Sequence, residues 1–274
     1  MPSSLRPDDY QFLARLLAQN LGHDLGAGKE YLLESRLRPV VLKAGLPDLA
    51  ALVNRLRGRT DPQLRDTVLD ALSTGETSFF RGSSAFEALR RQILPALIEA
   101  RSRVRRLSLW SAACSTGQEP YSLAMLLIDE FPQVQDWNLT ILATDASSIA
   151  LQRAEEGRYT RSEIRRGLSE ERLMRHFEPL GDRWSVRETV RRSVRFRRLN
   201  LLDPFGFRAE EHDLILLRNV LLYFDTARKA ALFARLRSVI APDGYLLLGE
   251  SETILGLTDA FALPSTDQPY YRPV

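Results

Sequence analysis

An all-helical unit followed by an α/β domain with a mostly parallel, doubly wound sheet is the architecture the sequence predicts, on three observations. Up to Leu72 the apolar residues recur at helical spacing, and strand signals are absent. Beyond Arg103, short apolar runs bounded by turn residues alternate with helical stretches, the pattern of a sheet covered by helices on both faces. Between about 159 and 190 a charged stretch with a hairpin signal interrupts that alternation and reads as a small inserted β subdomain. The boundary is placed at residue 80, giving a helical unit 1–80 and an α/β unit 81–274.

Each element has its own justification. Asp8 or Asp9 can cap a first helix that carries Tyr10, Leu13, Leu16 and Leu17 on one face. Tyr31 to Leu37, Leu49 to Leu56 and Leu64 to Leu72 repeat the period, with breaks at Gly22–Gly28 and at Gly45 and Pro47. A helix-linker runs from Phe86 to about Arg103. Strands are expected at Leu107–Ser111, at Leu139–Ala143 with its stop at Asp145, and at Val194–Leu199, Leu214–Leu217 and Tyr245–Leu248. Helices fill Pro120–Glu130, Ala146–Glu156 and Thr226–Ile240, and Pro120 suits a first turn because its missing N–H goes unused there. Leu180–Val186 has Gly-Asp at a hairpin turn, and Phe261–Tyr271 reads as a closing hairpin.

Composition removes several classes. With 44% apolar and 27% charged residues in 274, the chain can bury a substantial core. No apolar run nears the roughly 18–20 residues of a membrane span, and Met1–Asp9 lacks a secretory pattern, so a cytoplasmic location is expected. Cys114 is the sole cysteine, which excludes an intrachain disulfide and a thiolate metal cluster, and no metal is expected. The net charge is only +3, yet Lys29, Lys43 and Lys229 are the only lysines among 38 basic residues. That excess is a codon preference or a set of carboxylate- and phosphate-binding forks. Arg36, Arg38, Arg55, Arg57 and Arg59 in the helical unit form either a solvated face or a docking surface for an acidic helical partner.

The first strand runs into Ser111-Ala-Ala-Cys-Ser-Thr-Gly-Gln-Glu-Pro-Tyr121, a small-residue turn that lets backbone approach a ligand at the carboxyl end of the sheet. Its single glycine, Gly117, is not the glycine-rich pyrophosphate turn of a dinucleotide site. A ligand without phosphate, such as S-adenosylmethionine, fits better. Glu119 can meet its amino group, and Asp145, ending the second strand, can accept ribose hydroxyls or serve only as a helix cap.

Several blocks resemble the CheR family of chemotaxis receptor methyltransferases. Ser73–Arg81 is similar to the segment joining that family's helical and catalytic domains, and Leu109–Met125 to its cofactor loop almost residue for residue. Ala143-Thr-Asp145, Asn200-Leu-Leu202, Asp213–Asp225 and Pro242–Glu252 match further blocks in order, and Tyr31–Leu37 extends a weaker likeness into the helical unit. The resemblance implies a Rossmann-like class I methyltransferase sheet and methylation of receptor glutamates, with S-adenosylmethionine as donor and S-adenosylhomocysteine as product. It implies that Thr77, Arg81 and Ala113 line the cofactor and transfer site, and that Glu119 holds the methionine amino group. Asp145 would hold the ribose, Asn200, Leu201 and Asn219 would frame the cofactor, and Arg81 with Tyr223 would address the reacting carboxylate. Two departures stand out: Gly75 replaces a frequent asparagine, and Ala146-Ser147 replaces the usual Ile-Asp.

The chemistry agrees with that implication. A glutamate acceptor is already ionised at pH 7, so no strong base is needed. Catalysis then rests on orientation and exclusion of water, and His23, His176 and His212 lie outside the matching blocks. Cys114 reads as a packing residue. The expected partner is the glutamate-rich helical cytoplasmic domain of a chemoreceptor-like protein. It is reached without a tethering pentapeptide, because the hairpin between Phe177 and Val190 is short. Nucleic acid is not expected, since no aromatic platform interleaves with the basic residues. A non-catalytic S-adenosylmethionine-binding regulator, or a methyltransferase with another substrate, are the alternatives.

Overall fold

Leucines and valines at helical spacing build the N-terminal unit, seen in a computed structural model that describes residues 5–23, 25, 28–58, 61–73, 75–265 and 268–274. Its helices are α1 (Pro7–Leu21), α2 (Glu30–Lys43), α3 (Leu49–Arg57) and α4 (Pro62–Leu72). Leu13, Leu17, Leu33, Leu37, Leu52, Val53 and Val68 interlock as one apolar cluster between them. Asp48 and Asp61 cap α3 and α4 by accepting from Ala51 N and Leu64 N at 2.8 and 2.9 Å. The expectation for α1 is corrected: Arg6 is the N-cap and Pro7 opens the helix, so neither Asp8 nor Asp9 caps it. Asp9 instead turns inward, where Arg6 and Arg57 reach it at 2.8 and 3.0 Å.

The linker helix starts at Ser83 rather than Phe86, because Gly82, at φ 78°, breaks the chain there. It comprises α5 (Ser83–Ala88), a π turn over Leu89–Ile93 and α6 (Leu94–Arg101). Then come β1 (Arg106–Ala112), α7 (Gln118–Glu130), β2 (Asn138–Asp145) and α8 (Ser148–Glu156). The insert holds β3 (Arg158–Thr160), α9 (Arg161–Arg165), α10 (Glu170–His176), β4 (Phe177–Leu180), β5 (Arg183–Val186) and α11 (Glu188–Arg191). The chain closes with β6 (Val194–Arg198), β7 (His212–Leu217), α12 (Thr226–Val239), β8 (Ile240–Leu248), β9 (Phe261–Ala262) and β10 (Tyr270–Pro273).

The main sheet runs β6-β2-β1-β7-β8-β10-β9, with the first five strands parallel and β10 antiparallel to both β8 and β9. Alternate side chains sort to opposite faces. Leu107, Leu109, Ile141, Leu214 and Leu216 pack toward α5–α7, whereas Trp110, Ala112, Ile215, Leu217 and Leu246 pack toward α12. Strand order reverses beside β1, whose neighbours are β2 on one side and β7 on the other, and this opens a crevice at their carboxyl ends. Among the described residues no helix is long and apolar enough to cross a membrane.

The insert forms its own antiparallel sheet, β3-β5-β4, with Gly181 at φ 60° in the two-residue turn between β4 and β5. Tyr159 on β3 donates to Thr116 O at 2.7 Å, and His176 meets Asp129 of α7 at 2.8 Å, contacts that help hold the insert against the domain. Gly167, after α9, has φ 91° and passes against Phe79, where an added Cβ would overlap the Phe79 carbonyl oxygen. Gly167→Ala therefore meets both a strained φ and a backbone clash. Destabilisation by about 2–4 kcal/mol is expected, read as a lower denaturant midpoint at unchanged m-value.

Candidate functional site

A cavity of about 800 Å³ occupies the crevice. Its floor is the turn after β1, where Ala113 (φ 62°), Ser115 (φ 50°) and Gly117 (φ 92°) all take left-handed backbone. Such conformations in non-glycine residues persist only where the surroundings fix them. Here Cys114 N donates to Thr144 O at 2.9 Å and Ser115 N to Asp145 Oδ2 at 2.8 Å. Gly117 has to be glycine, since a Cβ there would lie 2.9 Å from the Ala154 Cβ. Helix α7 then begins at Gln118, two residues before Pro120, and points its amino end at the cavity.

Glu119, in the first turn of α7, accepts from Ser111 Oγ at 2.8 Å and pairs with Arg218 Nη1 at 3.0 Å. Two bonds leave other lone pairs of this carboxylate free for a donor in the cavity. Arg218 closes the apolar strand β7 and is buried; its Nη2 donates to Arg81 O at 2.6 Å, and its Nε has no partner among the described residues. Gly82 leaves room for it, because a Cβ there would come within 2.5 Å of Nη2. Asp145 ends β2 with its oxygens on Ser115 N and Ser147 N, and burial raises its carboxyl pKa. Burial, with Asp145 and Glu119 nearby, also pushes the Cys114 thiol well above its ordinary pKa, so Cys114 is a protonated packing residue.

Asn219 stands at φ 59° after β7 and is held by Glu252, which accepts from Asn219 N, Leu221 N and Gly249 N at 2.7, 2.7 and 2.8 Å. Asn200 spans the two units: its Oδ1 accepts from Leu202 N at 3.0 Å and its Nδ2 donates to Asn20 O at 2.6 Å. Arg81 Nη1 reaches back to Glu76 O at 2.5 Å. The Gly75 carbonyl accepts from Ser115 Oγ at 3.0 Å, and a Cβ at 75 would sit 3.1 Å from that oxygen, so the site is built around the missing side chain.

The nine residues singled out from the sequence, Thr77, Arg81, Ala113, Glu119, Asp145, Asn200, Leu201, Asn219 and Tyr223, all border this one cavity. Sequence reasoning missed Arg218, whose signal is a charge at the end of an otherwise apolar strand. It also missed the wall supplied by the helical unit, including Asn20, Arg65, Asp66, Asp70 and His23. His23 lies outside the matching blocks, yet its ring stacks on Tyr223. The arginines of the helical unit are largely committed inside it. Arg36 donates to Leu72 O, Arg55 pairs with Asp61, and Arg57 with Asp9; Arg59 lies outside the described residues.

These residues fit an adenosyl sulfonium ligand: a strand-ending acid, a second carboxylate with open lone pairs and a small-residue turn, without a glycine-rich phosphate cradle. Fold and crevice thus define an S-adenosylmethionine-dependent methyltransferase. Residues 8–73 match the CheR methyltransferase all-alpha domain and residues 75–269 its SAM-binding domain. The chain is similar to chemotaxis protein methyltransferase Cher2 of Pseudomonas putida, at 40% identity over 93% of this chain and 94% of that one. Chemotaxis protein methyltransferase 1 of Pseudomonas aeruginosa is 40% identical over 93% of each, and a Vibrio parahaemolyticus relative 37% identical over 95% and 94%. The chain belongs to the CheR methyltransferase family.

Removing the Arg218 guanidinium leaves Glu119 as a nearly buried carboxylate without its countercharge. Arg218→Met is expected to lower stability by about 3–5 kcal/mol in chemical denaturation.

Proposed function

We propose that this protein transfers a methyl group from S-adenosylmethionine to glutamate side chains on the helical cytoplasmic part of a chemoreceptor, giving glutamate methyl esters and S-adenosylhomocysteine. The observation that carries this reading is the convergence of six separate chain segments on one cavity, which brings Glu119, Asp145, Arg81 and Tyr223 to its border. S-adenosylmethionine supplies the methyl on a sulfonium sulfur. Glu119 receives the ammonium of its methionine end and Asp145 the ribose hydroxyls, with Thr77, Ala113, Asn200, Leu201 and Asn219 shaping the remaining wall. The acceptor carboxylate is anionic at pH 7 and needs no proton removed. Arg81 orients it through its planar fork, and the Tyr223 hydroxyl donates to its second oxygen. Closure of the crevice by the helical unit strips water from the nucleophile.

The test is transfer of labelled methyl from S-adenosylmethionine to receptor cytoplasmic fragments. Base-labile label on the fragment is expected, and Arg81→Ala should lower kcat by about ten- to a thousandfold while sparing most of the S-adenosylhomocysteine affinity. Base-stable label would overturn the ester, and cofactor binding without transfer would favour a regulatory protein.

Target recognition is proposed to run through the helical unit rather than through a tethering pentapeptide. The two-residue turn at Gly181–Asp182 leaves no docking loop on the insert, and Arg38 is exposed on α2. A receptor fragment lacking its C-terminal tail should be methylated within about twofold of the intact fragment, and both should slow as salt screens the exposed charge. A steep fall on tail removal would place recognition on the insert instead.

A further inference from the structure

The C-terminal end of α1 is pinned to the rim of the cavity at successive positions. Asn20 O accepts from Asn200 Nδ2 at 2.6 Å. Gly22 ends the helix at φ 72°, and a Cβ there would lie 2.7 Å from the Phe224 ring and 3.3 Å from Leu202, so the chain passes as close to that rim as a glycine allows. The next residue, His23, is delivered onto Tyr223 with ring centroids 4.4 Å apart and planes 29° from parallel. Burial, with the charge of Arg36 beside it, holds its imidazole down to about 4, so a neutral ring faces the tyrosine. Offset stacking of neutral rings at such separations is attractive and fixes their relative tilt.

Tyr223 is half-buried: its ring packs against the apolar cluster on the α12 face of the sheet and stacks on His23. It ends the three-residue turn Leu221–Tyr223, in which Leu221 is buried beneath the Glu252 clamp and Leu222 is exposed. The backbone of the turn is therefore anchored on the Leu221 side, and the stack adds a constraint on the tilt of the tyrosine ring beyond that packing.

We propose that His23 is a positioning residue for methyl transfer: stacked on Tyr223, it holds the tyrosine ring so that the hydroxyl meets the acceptor carboxylate. The helical unit thereby supplies part of the reaction geometry as well as a wall. This rests on the reading of Tyr223 as an acceptor-facing residue, and the experiment separates the two. Methyl transfer to a receptor fragment is measured for His23→Ala, His23→Phe, Tyr223→Phe and the His23→Ala/Tyr223→Phe double variant, with S-adenosylhomocysteine affinity measured by calorimetry for each. His23→Ala is expected to lower kcat by about ten- to a hundredfold, the scale of a small misplacement, while the affinity changes by less than about threefold. His23→Phe, which keeps a flat ring at the same place, should recover most of kcat. The double variant should fall no further than Tyr223→Phe alone, because each substitution removes the same contribution. Unchanged kcat in His23→Ala, a His23→Phe as slow as His23→Ala, or additive losses in the double variant would each overturn the proposal while leaving the role of Tyr223 intact. Full activity of Tyr223→Phe would overturn that role and this proposal together.

Discussion

Three segments distant in sequence meet at the guanidinium of Arg218. It leaves the carboxyl end of β7, binds the Glu119 carboxylate in the first turn of α7, and takes the Arg81 carbonyl from the linker between the two units. A cation buried to this degree is tolerable only with a countercharge beside it. The pair therefore ties β7, α7 and the linker to one another at the carboxyl end of the sheet. The glycine at position 82 belongs to the same arrangement, since only a residue without a side chain lets the linker pass over the guanidinium.

The helical unit is joined to the sheet by polar contacts more than by a shared core. Its leucines and valines form a cluster of their own, separate from the two clusters on the faces of the main sheet. Among the contacts that cross between units are the Asn200–Asn20 bond, the Arg198–Asp66 ion pair at 3.2 Å, the Ser115–Gly75 bond and the His23–Tyr223 stack. Interfaces of this kind tolerate relative movement, because few apolar surfaces are exposed when they part. Such a joint suits an enzyme that admits its ligands between the two units.

Much of this was legible in the chain. Strand and helix runs followed directly from apolar periodicity, since a parallel sheet covered on both faces demands continuous apolar runs such as Leu214–Leu217, buried throughout. Asp145 was readable because an acid ending a strand in this topology stands at the crevice. Arg218 was harder: a lone charge after a strand looks like an ordinary surface residue until its carboxylate partner is seen arriving from α7. His23 could not be read at all, because its partner comes from the opposite end of the chain and neither residue advertises the stack. Asp9 misled for a related reason. A carboxylate near a helix start suggests a cap, but Pro7 had already opened the helix, and Arg57 from α3 drew the side chain inward. The arginines of the helical unit suggested a surface of free charge, and most of those described spend it on partners within the unit.

The buried, protonated thiol of Cys114 has a practical consequence. Alkylating and spin-labelling reagents attack thiolates at accessible positions. A chain whose single cysteine is buried and protonated in the ligand turn offers such reagents a poor target. One residue changed to cysteine on an exposed face of the helical unit, and another on the insert, would therefore be labelled ahead of Cys114 and report distances between the two.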